Sequence, residues 1–82
     1  MERDGILIFH SIHRVMRAEK ELKAAGLDVR LLPVPRQLSS DCGLSLGFCF
    51  EHRARVEAEL EAAGCVAEEV YRLEAEGYVR QG

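Results

Sequence analysis

LLPVPRQLSSDCGLSL, from Leu31 to Leu46, is the stretch that decides how this chain folds. Apolar runs at both ends read as strands. Between them Pro33, Pro35, Ser39, Ser40, Asp41 and Gly43 are turn and loop formers, so the stretch predicts a strand, an ordered loop and a return strand. Pro33 and Pro35 put the first strand, Val29 to Val34, at a sheet edge, where a missing N–H does little harm. Beyond the loop, Leu44, Leu46, Phe48 and Phe50 alternate with Ser45, Gly47 and Cys49, a period of two with one face in the core. Cys42 lies near the end of the loop, and Gly43 beside it leaves room for another molecule to approach the thiol.

Working outward, both flanks follow one plan. Gly5 to Phe9 is a continuous apolar run, as expected of a central strand covered on both faces. Ser11 stands where a helix N-cap belongs, and Ile12, Val15, Ala18, Leu22 and Ala25 share one helical face before Gly26 ends the helix. On the other flank a second helix starts at Glu51, turns Val56, Leu60 and Ala63 to one side and closes at Gly64. ELKAAGL (21–27) and ELEAAGC (59–65) echo each other, each ending a helix and leading into a strand. Cys65 to Leu73 reads as the final strand, with a helical extension as its competitor, and 74–82 reads as a flexible tail outside a core of about 5–73. Two similar halves predict a single α+β domain of ferredoxin-like βαββαβ form, a four-stranded antiparallel sheet with two helices on one face. Leu7 and Phe9 point opposite to Ile6 and Ile8, so the other sheet face is partly apolar and offers itself to a partner or to a homodimer.

Composition narrows the function classes. The formal net charge is −3, and Arg14, Arg17, Arg30, Arg36, Arg53, Arg55, Arg72 and Arg80 are interspersed with acids, which gives no basic stripe for nucleic acid. The apolar run near the start is too short for a membrane span or a signal segment, so a cytoplasmic, non-membrane protein is expected. Cys42, Cys49 and Cys65 form no CxxC pair and suit neither a disulfide framework nor a zinc clip. Reduced thiols are the expectation, with Cys49 and Cys65 structural and a resolving role for Cys49 left open.

The expected topology brings Cys42 to the sheet end where the first strand exits, near His10, Ser11 and His13. There the unpaired N–H groups and partial positive charge of the first helix would stabilise a thiolate or another anion. A cationic Arg36 or His13 would help and Asp41 would oppose. Two competing readings are a metal chaperone or sensor that uses Cys42 with His10 or His13, and a small regulatory interaction domain.

IFHSIHRVMRAEKELKAAGLDVRLLPVPRQLSSDCGLSLGF, within a likeness from about Gly5 to Gly64, resembles the selenium/sulfur carrier protein-like family. The shared layout is a strand, a serine-led helix with AEK, a PVPR segment, then serines before Cys-Gly. The resemblance implies a carrier rather than a stand-alone enzyme, with sulfur or selenium held on Cys42 as a persulfide or perselenide. Gly43, His13 and Arg36 would sit around the carrier thiolate, and Ser11 and His10 would stabilise it. No bound cofactor or metal is expected. The partners implied are a donor persulfide protein, such as a cysteine or selenocysteine desulfurase, and an acceptor protein. Cys49 and the polar stretch after Cys65 depart from the family pattern.

Overall fold

The computed structural model describes residues 3–82. In chain order the elements are β1 (Gly5–Ile8), α1 (Ile12–Ala24), β2 (Val29–Pro33), β3 (Leu44–Phe48), a 3-10 turn (Phe50–His52), α2 (Arg53–Ala62), β4 (Glu69–Glu74) and β5 (Gly77–Arg80). The strands make one antiparallel sheet in the order β2-β3-β1-β4-β5. Because β1 and β2 both pair antiparallel with β3, they run the same way with β3 between them. In the same manner β3 and β4 flank β1. Each strand-helix-strand unit thus inserts a strand into the gap of the other.

The α+β class therefore holds, and the expected four-stranded sheet is corrected to five strands. Residues 74–82, expected as a flexible tail, contain β5, which pairs with β4 from Tyr71 opposite Arg80 to Glu74 opposite Gly77. The final strand expected from Cys65 begins later, at Glu69, and 65–68 is a connection. β3 also stops at Phe48, two residues short of the expected end, because the chain turns at Cys49 into the 3-10 segment that starts α2. No helix among the described residues is long and apolar enough to cross a membrane.

Leu7 of β1 lies level with Leu46 of β3 and Val70 of β4. This row, with Phe9, Val29 and Phe48, is buried in one cluster with Val15, Ala18 and Leu22 of α1 and Val56 and Leu60 of α2. Each Val, Leu or Phe among them contributes about 1.5–3 kcal/mol by leaving water, so the layer between helices and sheet is the main source of cohesion. The repeated ELxAAG sequences end both helices in the same way. Gly26 (φ 81°) and Gly64 (φ 68°) adopt the left-handed conformation that closes a helix most readily without a Cβ. The N–H of Leu27 then donates to the Leu22 carbonyl at 3.0 Å, and that of Cys65 to the Leu60 carbonyl at 2.9 Å. In each case the residue after the glycine is pinned into the core.

On the opposite face the β1 side chains are also shielded from solvent. Ile6 and Ile8 are 3% and 0% exposed there, while Leu32 and Arg3 reach across Gly47. The apolar face expected as a docking surface is accordingly narrower than the alternation of β1 implies, although Leu73 remains exposed.

Candidate functional site

Register places the exits of β1 and β2 and the starts of β3 and β4 at one end of the sheet, since Ile8 lies opposite both Ser45 and Glu69, and Leu32 opposite Ser45. The β2–β3 loop, 34–43, therefore sits beside the β1–α1 connection. Its base is closed by the Val34 N–H donating to the Gly43 carbonyl at 3.1 Å, and its outer corner by the Leu38 N–H donating to the Pro35 carbonyl at 2.9 Å. Gly43 has φ +75°, a conformation that a side chain would strain. The Ser40 hydroxyl accepts the Gly43 N–H at 3.1 Å and fixes the segment that carries Cys42.

Cys42 is partly exposed, whereas Cys49 and Cys65 are buried. Its Sγ lies 3.3 Å from the Phe9 carbonyl oxygen, 3.4 Å from that of Leu44 and 3.8 Å from the Ser40 hydroxyl. The thiol has one proton and two carbonyl acceptors, so a single S–H is held between the β1–α1 connection and the start of β3. Ser40 is the side chain placed to donate to the sulfur when that proton is gone. The sulfur thus meets the β1–α1 connection as expected, but at the Phe9 carbonyl. Among the described residues no helix N–H is hydrogen-bonded to Sγ, and its partner on this side is the Phe9 carbonyl of the β1–α1 connection, in place of the expected N–H groups of the opening turn of α1. Ser11 does occupy the N-cap position with extended backbone, yet its side chain makes no capping bond.

The other expected site residues are distributed unevenly. The Asp41 N–H donates to His10 Nδ1 at 3.4 Å, and the Asp41 carboxylate stands 4.0 Å from the same nitrogen. His10 Nε2 faces Glu69 at 3.9 Å, and the His10 backbone N–H donates to Glu68 at 2.7 Å. His10 thereby ties the Cys42 loop to the start of β4 and does not itself bind the sulfur. His13 and Arg36 are exposed and make no hydrogen bond or ion pair among the described residues. Arg36 occupies the outer corner of the Pro35–Leu38 turn. By residue type Ser40 reads only as a turn former. Its spacing in S-x-C-G, which lets one hydroxyl serve both the Gly43 N–H and the Cys42 sulfur, was the available signal.

The two buried thiols have a different chemistry. Burial pushes the Cys65 thiol up from its ordinary value, and its S–H donates to the Arg14 carbonyl at 3.3 Å. Burial likewise raises the Cys49 thiol, whose S–H points at Glu51 Oε1 at 3.4 Å. Cys42 precedes β3 and Cys49 follows it, so about 20 Å of extended chain separates them. The resolving-thiol role left open for Cys49 is excluded within one chain in this conformation. Cys42, His10 and His13 fall in no group of three or more ligand-type side chains among the described residues. The group of three ligand-type side chains found among the described residues is Cys49, Glu51 and His52.

Known proteins share this sequence in part. The chain is 33% identical over 76 residues to a protein of Aquifex aeolicus (strain VF5) named "Putative sulfur carrier protein", a match covering 90% of this chain and 39% of the relative. It is 36% identical over 44 residues to the "Uncharacterized protein YtiA" of Escherichia coli (strain K12), covering 54% of this chain and 52% of that protein. The chain thus spans between about two fifths and a half of these relatives' lengths. No solved structure matches it. The family profile described as "Putative Se/S carrier protein-like" matches residues 4–72, which include the whole Cys42 loop and β1 to α2, and the chain belongs to that family.

Proposed function

We propose that the protein carries sulfur or selenium on Cys42. The observation that supports this reading most is the contrast among three thiols, of which Cys42 alone is partly exposed, on a loop braced by Ser40 and Gly43. Family membership supports the same chemistry. In the transfer step the Cys42 thiolate attacks the outer sulfur of a donor persulfide. The donor S–S bond breaks, a new S–S bond forms to Cys42, and the donor thiolate leaves, so no external oxidant or reductant is needed. Passing the atom to an acceptor thiolate repeats the exchange in reverse. Selenium follows the same scheme as a perselenide.

The partners of this reading are a persulfide-bearing donor such as a cysteine or selenocysteine desulfurase, and an acceptor protein, working in a reducing compartment such as the cytoplasm. The domain acts as a carrier with no cofactor beyond the transient chalcogen. The chemistry needs access to the sulfur more than it needs a large cavity, which suits a loop at the end of a small sheet. Intact-mass analysis after incubation with a desulfurase and its substrate tests the proposal. Wild-type protein gains sulfur or selenium and Cys42→Ala gains none. Equal loading of the two proteins contradicts the assignment.

A further inference from the structure

At the end of the sheet opposite Cys42, the chain leaves β3 through Cys49, Phe50, Glu51 and His52. The His52 N–H donates to the Cys49 carbonyl at 2.9 Å, closing a 3-10 turn. In such a turn side chains three residues apart overlie one another, so Cys49 and His52 are brought to one side. Ligand atoms of Cys49, Glu51 and His52 all lie within 4.8 Å of one another. Cys49 forms the floor at 7% exposure, His52 is half-buried and Glu51 is open to solvent. Among the described residues the Glu51 carboxylate has no cationic partner, and it faces the Cys49 thiol at 3.4 Å. The neighbouring guanidiniums are engaged elsewhere: Arg53 pairs with Glu57 and lies over the Phe50 ring, and Arg72 faces Asp4 and lies over the same ring.

We propose that Cys49, Glu51 and His52 form a site for a zinc-class divalent cation, separate from the carrier thiol. A thiolate, an imidazole and a carboxylate are the donor types zinc takes, and three protein ligands leave a fourth position for water. The soft thiolate weighs against magnesium or calcium. Tetrahedral zinc holds its donors about 3.5 Å apart, so the widest separation in this cluster must close by about 1 Å. The Cys49–Glu51 pair is already at 3.4 Å, so the movement falls to the His52 side chain, half-buried, with the exposed Glu51 free to follow it. On binding, the thiol proton is released to solvent and the thiolate, the carboxylate and the dication sum to no net charge. The ion would tie the end of β3 to the start of α2, and the site is open enough for the ion to exchange.

Cobalt(II), with zinc as competitor, is the probe for the reduced, tag-free full chain. Wild type and Cys42→Ser give a near-ultraviolet thiolate-to-cobalt band at micromolar cobalt, and zinc abolishes it. Cys49→Ser loses the band, while His52→Gln and Glu51→Gln keep their circular dichroism and bind more than about tenfold more weakly. No band in wild type, or a band that survives Cys49→Ser or disappears with Cys42→Ser, overturns the proposal. Should Cys49→Ser fail to fold, unchanged affinity in both His52→Gln and Glu51→Gln overturns it equally.

Discussion

Strand β3 has a cysteine just before it and another just after it, and the two ends of the strand treat the same side chain in opposite ways. Cys42 sits on a loop braced by its neighbours' backbone and the Ser40 hydroxyl, partly open to solvent. Cys49 is folded under the entry to α2, where burial raises its thiol and Glu51 accepts its S–H hydrogen bond. Residue type alone therefore says little about which thiol reacts. What separates them is the turn each one occupies: a glycine-bearing loop at one end, a 3-10 turn packed against the sheet at the other.

The change that most directly breaks this contrast is Phe48→Ala, because Phe48, the last residue of β3, is buried in the core layer next to Cys49 in the chain. It is expected to cost about 3–5 kcal/mol, a large share of what a small domain has. Denaturant titration should show the lower midpoint, and alkylation of Cys49 should then approach that of Cys42. Gly43→Ala acts on one end only. Forcing an alanine into the left-handed backbone at φ +75° costs about 1–2 kcal/mol. It should also slow sulfur loading of Cys42 while leaving Cys49 inert, as kinetic mass spectrometry would show.

Ser40→Ala removes the acceptor of the Gly43 N–H and the hydroxyl beside the sulfur, for about 1 kcal/mol. Thermal unfolding should shift slightly, and the loading rate more than the stability. The smallest effect near neutral pH belongs to the buried groups. Cys49 and Cys65 are raised by burial, and Tyr71 by its 2.7 Å bond to the Glu69 carboxylate. Each is released from its proton more easily when unfolded, so the stability they contribute is intact below their ordinary values and lost as pH rises through the raised ones. Midpoints measured in denaturant should be flat near neutrality, fall above the ordinary thiol range and fall further above the phenol range. A midpoint that rises in alkali would contradict the assigned directions.

What the sequence made legible was local. The two ELxAAG stops were readable because a Schellman ending needs a glycine at one position and an apolar residue at the next, and both are visible as letters. The Cys42 loop was placed beside β1 because the connectivity of two strand-helix-strand halves leaves it nowhere else to go. β5 was hidden because an edge strand of half-buried residues following Glu74, Ala75 and Glu76 shows little alternation of polarity. The surroundings of the sulfur were hidden for another reason. Its nearest partners are the carbonyls of Phe9 and Leu44, and a backbone acceptor leaves no mark on residue type. Of the expected helix N–H groups none is hydrogen-bonded to the sulfur among the described residues, and the Phe9 carbonyl at the exit of β1 lies against the thiol. Arg36 and His13 were attractive as charges near a cysteine in sequence, yet both point to solvent.

The most direct test of the account is peptide mapping of wild-type protein after limited loading by a persulfide donor, with accessible thiols and persulfides blocked in the folded state and the remaining thiols blocked after unfolding. The account predicts the added sulfur or selenium on the peptide containing Cys42 and unmodified chalcogen-free peptides for Cys49 and Cys65. An adduct distributed evenly among the three, or found first on Cys49, would contradict it.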